Sequence, residues 1–434
     1  MTAWTLVSDP DAYDWHNAKD HVLVEWDSSR VAAMYSGPPD GFSTDGCSAR
    51  MLTVGTTVTR GPATTYAFYA ADSENYWAVH STRRVGDLLV QWRSTSDKLY
   101  TMTYDATTDT FTRVDVAIPN FGFTPAAGNL GGLIVPIDAT TILLIKHGFN
   151  YGSSVGKVMF ARWGGSAWSF GAVTDTATGV SFGQAGYMDA ESITGGALVK
   201  MRANTGAVFS YGIITGSYPS APVVYNSSTT WTGFASFFNR EWFPAPQNPG
   251  TVYRVLPLNV GTTTPNTAGG STFDWGLMPL TIVSGEVTEG AIVNIGRSDP
   301  HGYYDVAGTQ SADGAPWVAW NASTDTTAWR PAATLAVKNM ATAATGSFTT
   351  ADDRGIYADD YSIRTIAAAG DSVLVGFYTN YNQQFGVWQF PGDAPPLVRS
   401  YLRTVQRGDG LSGGPPRTVQ INSQQGSIRN IGHR

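Results

Sequence analysis

A single cysteine, Cys47, stands in the 434 residues. No disulfide can form within the chain, which excludes a disulfide-framed secreted scaffold. No His–Asp pattern surrounds Cys47 to lower a thiol pKa, so it reads as a small buried or turn residue, not a nucleophile. Charge is scarce as well: 14% of residues against roughly 25% in ordinary globular proteins. A formal net charge of −7 leaves no basic footprint for DNA or RNA. Only six of the 27 basic residues are lysine, and the arginine bias suits planar contacts at protein interfaces. No apolar run approaches the ~18 residues of a membrane helix. The start, Met1-Thr2-Ala3-Trp4, has neither the basic nor the apolar region of a signal peptide. The chain is therefore expected to be made in a cytoplasm and to leave it by lysis or by assembly into a larger particle. Helical periodicity is nearly missing too; 341–344 is the best short candidate, and Thr and Gly dilute it. The six histidines show no metal spacing. No GxSxG, Walker or dinucleotide fingerprint stands up, and no cofactor is expected.

What fills the chain is strand signal. Runs of roughly four to eight β-branched and aromatic residues are bounded by Gly, Asp, Asn and Pro, and 48 Gly and 23 Pro punctuate them. One plan recurs. It opens with a turn and an almost wholly apolar run, as in 86–92 (GDLLVQW), 140–145 (TTILLI), 196–201 (GALVKM), 290–295 (GAIVNI) and 370–377 (GDSVLVGF). Such a run reads as a strand buried on both faces. An alternating strand follows: 98–104, 157–163, 207–213, 316–320 and 385–390. A polar turn and an outer strand then close the unit, as in 110–116, 167–173 and 326–335. Repetition at irregular spacing fits a β-propeller, whose insertions fall in loops. The apolar run is expected to be the innermost strand of each blade. Five units are clear, a sixth lies in 231–289, and 20–60 is either another blade or the ring closure. Six blades are favoured, with seven the alternative. A pair of β-sandwich domains would share the same short-strand statistics.

The expected organisation is an N-terminal arm over 1–19, the propeller over 20–402 and an extended tail over 403–434. In the tail Arg403, Arg407, Arg417, Arg429 and Arg434 face a single acidic side chain, Asp409. With no sizeable apolar cluster of its own, it is expected to dock on a partner. Arg407-Gly408-Asp409 is too short a tripeptide to carry integrin binding. Candidate ligand-binding aromatics lie in Gly- and Asn-rich loops: Phe149, Tyr151, Trp242, Tyr303, Tyr304, Tyr378 and Tyr381. Aromatic faces beside amides suit sugar rings or a protein partner. Asp352, Asp353, Asp359 and Asp360 form the densest acidic stretch. They are weak metal candidates, read first as a solvated loop rather than a calcium loop.

Ser311-Ala312-Asp313-Gly314-Ala315-Pro316-Trp317 resembles the Asp-box turn of sialidase propellers, with weaker relatives at 323–329, 104–111 and 164–168. The resemblance implies blade architecture: the Asp closes a hairpin and the aromatic pins it to the blade. Arg83, Arg84, Asp313 and Tyr357 are not tied together by any catalytic motif, so no catalytic residue is assigned. In its low charge, its Thr/Gly/Ala-rich style and its tail, the chain resembles a bacteriophage virion structural protein. That resemblance implies a place in the tail or on the capsid surface, among other virion proteins in a homo- or hetero-oligomeric assembly. It also implies a loop face turned to a host-surface glycan, no contact with nucleic acid and no membrane insertion. An extracellular glycan-active hydrolase on the same fold is the alternative.

Overall fold

The computed structural model describes residues 5–7, 21–36, 46–55, 58–67, 82–93, 98–119, 132–146, 156–176, 180–182, 189–203, 209–232, 242–267, 273–298, 306–322, 334–342, 345–349, 361–379, 384–391, 401–405, 417–422 and 427–430. Every regular element among them is a β-strand. Seven antiparallel sheets of four or five strands follow one another. Blade 1 holds His21–Asp27, Arg30–Ser36, Gly46–Val54 and an outer strand broken into Val58–Arg60 and Thr64–Ala67. Blade 2 holds Arg83–Val85, Leu88–Arg93, Lys98–Asp105 and Thr110–Ala117. Blade 3 holds Gly132–Pro136, Thr141–Lys146, Lys157–Trp163 and Trp168–Asp175. Blade 4 holds Ala190–Ile193, Gly196–Ala203, Phe209–Thr215 and Val223–Thr230, with Val180–Ser181 on its inner edge. Blade 5 holds Trp242–Pro244, Thr251–Leu258, Asp274–Val283 and an outer strand split into Glu286–Glu289 and Val293–Arg297. Blade 6 holds Val306–Gln310, Pro316–Ala322, Thr334–Asn339 and Thr345–Thr349. Blade 7 holds Tyr361–Ala369, Ser372–Thr379 and Gln384–Pro391, and takes its outer strand from the other end of the chain, Thr5–Val7.

The first strand of each blade touches the first strand of the next, from blade 1 through blade 7 and back to blade 1. The sheets therefore close into a ring, and the all-β propeller expected from the sequence is the fold. Its seven blades are the larger of the two counts that the sequence allowed. The strand that completes the last blade comes from within the stretch expected as an arm. A further three-stranded sheet, Tyr401–Val405, Arg417–Asn422 and Ser427–Asn430, pairs within itself.

The doubly buried run is the second strand of a blade, which corrects its expected place at the axis. Thr141–Lys146 is buried at every position, whereas the inner strand beside it, Gly132–Pro136, is only partly so. A second strand is bonded on both edges and packed on both faces by neighbouring blades. An inner strand leaves one edge to the axis and so tolerates polar side chains. Outer strands are wettest, as expected: Thr110–Ala117 and Val223–Thr230 alternate toward solvent. The run 290–295 is a second correction. It leads into an outer strand, Val293–Arg297, with mixed exposure. The second strand of blade 6 is instead Pro316–Ala322, buried at five consecutive positions.

There is no single core. Side chains alternate across each sheet, so Val31 and Ala33 pack on blade 7 while Ala32 and Met34 pack on blade 2. Each buried aliphatic side chain contributes roughly 1.5–3 kcal/mol. Two-residue turns join first to second strands in several blades. At Gly86 and Gly370 the φ is 58°, the left-handed conformation that such hairpins need. The turn at Ser311 is closed by side-chain hydrogen bonds. The Ser311 hydroxyl donates to Asp313 Oδ1 at 2.5 Å, the Ala315 amide donates to the same oxygen at 3.0 Å, and Trp317 Nε1 donates to Ser311 Oγ at 3.0 Å.

Candidate functional site

In an antiparallel four-stranded blade, the turns from first to second and from third to fourth strand lie at one end. The other connections lie at the opposite end. Here the two ends differ sharply. At one end the links are short: 28–29, 86–87, 137–140, 194–195 and 370–371 between first and second strands, and 106–109, 164–167 and 284–285 between third and fourth. The longest is 216–222. At the other end strands are joined by 8–20, 37–45, 68–82, 94–97, 118–131, 147–156, 176–189, 204–208, 231–241, 259–273, 298–305, 323–333, 350–360 and 380–383. All the long insertions thus start from and return to one face. Thr5 pairs with Gln389 near the end of the third strand of blade 7, so the first described strand begins at the short-turn face. Pro391 ends that third strand at the same face.

The best described part of the long-connection face is a shallow depression on blade 5. Gly261, Thr262, Thr263, Thr264, Asp274 and Asn294 line it. Asp274 heads the third strand and organises the site. Its Oδ2 accepts from the Gly261 amide at 2.8 Å and from Asn294 Nδ2 at 2.9 Å, and its Oδ1 accepts from Arg297 Nε at 2.7 Å. Burial alone would raise this carboxyl, but the bonds from Asn294, Gly261 and Arg297 hold it below its ordinary value. The loop is fixed by its own backbone: Asn259 N donates to Thr264 O at 2.9 Å and Thr262 N to Asn259 O at 3.1 Å. Lys338 Nζ, from blade 6, donates to the carbonyls of Asn294 and Ile295 at 3.3 and 3.1 Å. The result is a polar surface of hydroxyls and amides around a carboxylate whose hydrogen bonds come from within the protein.

Nearer the axis, charged side chains bind blades to one another. Glu25, on the inner strand of blade 1, accepts from the Thr309 hydroxyl of blade 6 and from the Ala368 amide of blade 7 at 3.1 Å. Thr365 Oγ1 accepts from Leu23 N at 3.0 Å, joining blades 7 and 1 again. Burial pushes the Glu25 carboxyl up, against the pull of Thr309, Ala368 and Arg84. Arg83 of blade 2 reaches Glu191 of blade 4 at 4.0 Å, across the intervening inner strand. Between blades 4 and 5, Arg254 Nη1 donates to Tyr211 Oη at 3.1 Å and to Thr232 O at 2.9 Å. Tyr211 in turn donates a hydrogen bond to Glu289 Oε1 at 2.5 Å. These carboxylates are spent on holding the ring, and no group of three metal-ligating side chains occurs among the described residues.

Phe149, Tyr151, Tyr303, Tyr304 and Tyr381 lie outside the described residues, as do Asp352, Asp353, Asp359, Asp360, Arg407 and Arg434. Tyr378 is in the second strand of blade 7, one residue from its end at the long-connection face. Trp242 is placed: it is 2% exposed and stacks with Tyr211 and Trp231, both at 6.0 Å. Those neighbours take its ring surface, so it serves packing between blades 4 and 5 and offers no face to a ligand. Arg403, Arg417 and Arg429 fall on the strands of the C-terminal sheet. Sequence reasoning missed Asp274, Asn294 and the Thr262–Thr264 run, whose signal was a Gly-Thr-Thr-Thr turn between two strands. It also missed Glu25, a carboxylate between Val24 and Trp26 in the strand HVLVEWD.

No protein-family model matches the sequence, and no curated protein matches it. Among solved structures, a protein from Lactobacillus plantarum gives a TM-score of 0.42 at 10% identity, over 75% of this chain and 82% of that one. The β-propeller domain of the Trilobed protease from Pyrococcus furiosus gives 0.42 at 7%, over 86% and 94%. Polysaccharide lyase Uly1 gives 0.39 at 8%, over 86% and 89%. Likeness at this level carries no argument about activity, substrate or partner.

Proposed function

We propose that this chain is a non-enzymatic structural protein of a bacteriophage-type virion, holding a propeller outward to bind a host-surface glycan while its terminal segments fix it to neighbouring subunits. One observation carries the reading. The described ends of the propeller, Thr5 and Pro391, lie at the short-turn face, and the long connections lie at the opposite one. A protein anchored by its ends then turns its most elaborate surface away from the anchor. The glycan class follows from the chemistry of that surface. Thr262–Thr264 and Asn294 supply hydroxyl and amide partners there. Repetition of the propeller in a particle makes weak single sites sufficient.

The full chain, immobilised at high density on beads, is expected to retain a subset of bacterial surface polysaccharides. Asn294→Ala with Thr263→Ala should lower that retention at least fivefold in protein that still unfolds cooperatively. Retention that survives both this variant and Tyr303→Ala with Tyr304→Ala would remove the loop face from the binding reading. Release of reducing sugar ends during incubation would instead identify the hydrolase alternative. Removing 403–434 should abolish assembly with partner subunits and leave the propeller folded; assembly that persists defeats the anchoring half.

A further inference from the structure

Asp274 and Arg297 stand opposite each other in the register of blade 5, yet they pair through a single hydrogen bond. Arg297 Nε donates to Oδ1 at 2.7 Å. Oδ2 is already taken by the Gly261 amide and by Asn294 Nδ2, so it is not left for a second bond from the guanidinium. Arg113 shows the contrast: it gives Nε to one oxygen of Asp115 and Nη2 to the other. Among the described residues no protein group accepts from Nη1 or Nη2 of Arg297, and its side chain is 27% exposed. Two donors of a planar group that fits carboxylates are thus left to an acceptor from outside.

The surroundings are short of negative charge. Lys338 of blade 6 gives its ammonium to the carbonyls of Asn294 and Ile295, and no carboxylate among the described residues pairs with it. Arg297 and Lys338 therefore stand against the one carboxylate of Asp274, an excess of positive charge on a chain whose formal net charge is −7. The excess adjoins the blade 5 depression, which measures about 670 Å³, within the range of small-ligand sites. Asn294 spends its amide nitrogen on Asp274 and on the Thr262 carbonyl, which leaves Oδ1 as an acceptor. Thr263 and Thr264 are exposed, and their hydroxyls can donate or accept.

We propose that the blade 5 depression takes an acidic polysaccharide, with a uronate carboxylate on the Nη groups of Arg297 and sugar hydroxyls on Asn294 Oδ1, Thr263 and Thr264. The inference rests on the glycan-binding reading and narrows it to one charge class. A carboxylate is planar and offers two oxygens to the guanidinium. A neutral sugar would leave the Nη groups to water and the local positive excess without a counter-charge. Lys338 is a positioning residue: its contacts are backbone carbonyls, so it holds the strand that carries Asn294 and draws the anion through space, an attraction that salt weakens.

The test offers the full chain on beads polygalacturonate, alginate and hyaluronate, each beside its own carboxyl-reduced form, with dextran and dextran sulfate as further probes. At least one polyuronate should be retained about tenfold or more above its reduced form, since the charge-assisted bonds go with the carboxylate. Raising the salt should shrink that ratio. Arg297→Met should bring the polyuronate down to the level of its reduced form while the reduced form is retained as before. Arg297→Lys keeps a cation for Asp274 without the planar donors; it should lose most of the ratio too, and it guards against a Met variant that merely misfolds. Lys338→Met should lower the ratio severalfold. Ratios near one for all three pairs overturn the acidic class, as does a ratio that both Arg297 variants leave intact in protein that unfolds cooperatively. Dextran sulfate retained above every polyuronate overturns the carboxylate and assigns sulfate. After any such failure, retention of a neutral polymer that Asn294→Ala with Thr263→Ala abolishes leaves the broader glycan reading standing. Failure to retain any of these polymers overturns the acidic class, and the panel of bacterial surface polysaccharides then decides the broader reading by itself.

Discussion

Arg254 has no exposed surface, and its surroundings show how a blade interface carries charge. Its guanidinium lies 3.8 Å from the centre of the Trp231 ring, while Nη1 serves both Tyr211 and the Thr232 carbonyl. Glu289 Oε1 is 3.8 Å from Nη1, too far for a direct hydrogen bond, so the Tyr211 hydroxyl relays between them. Burial pushes that phenol well above its ordinary value, which keeps it protonated and able to donate. Nε and Nη2 of Arg254 find no partner. The pair therefore owes its place less to net stability than to fixing blade 4 against blade 5. Arg254→Ala should cost about 3–5 kcal/mol in urea unfolding, since it strands the Glu289 charge. Arg254→Met combined with Glu289→Gln should cost clearly less than Arg254→Ala. A double variant as unstable as the single would mean that the packing of the guanidinium on Trp231, not its charge, sets the loss.

Among elements, the second strands were plain in the sequence and the first strands were not. Leu88–Arg93, Thr141–Lys146, Gly196–Ala203 and Ser372–Thr379 read as continuous apolar runs because neighbouring blades cover both of their faces. Arg83–Val85, Ala190–Ile193 and Trp242–Pro244 are too short for any periodicity to show, and without them the apolar runs read as the axial strands. Closure by Thr5–Val7 had no local signal, since three residues acquire meaning only beside Gln384–Pro391. For the site, Gly261–Thr264 was legible as a turn, but its meeting with Asp274 and Asn294 follows only from strand pairing. Blade-to-blade contact also imposes glycines that no turn requires. A Cβ on Gly132, in the inner strand of blade 3, would stand 2.5 Å from Cε3 of Trp92 in blade 2. Trp92 is fully buried and has no room to retreat. Gly132→Ala should lower stability by about 1–3 kcal/mol. Gly132→Ala with Trp92→Leu should recover part of that loss, and no recovery would place the strain elsewhere.

For the whole molecule, the ring must be closed against the loss of order at its seam, and it uses a buried carboxylate there. Glu25 bridges blades 1, 6 and 7, and Arg84 is the cation whose attraction reaches it. Burial outweighs these favourable contacts and raises its pKa above the ordinary 4.5. The sign of the pH effect follows from that direction. In the unfolded chain the proton leaves near pH 4.5; in the native ring it is held to higher pH. Between those two values the folded state binds the extra proton, so stability falls as pH rises through the window and levels off above the folded value. Glu25→Gln keeps a carbonyl acceptor for Thr309 and Ala368 and removes the titration. Its unfolding midpoint relative to the parent should therefore climb as pH rises above 4.5 and level off once the folded carboxyl has ionised. A difference that is flat, or that shrinks with pH, would show that the Arg84 attraction and the two hydrogen bonds overcome burial, and that the seam is stabilised by the charge itself.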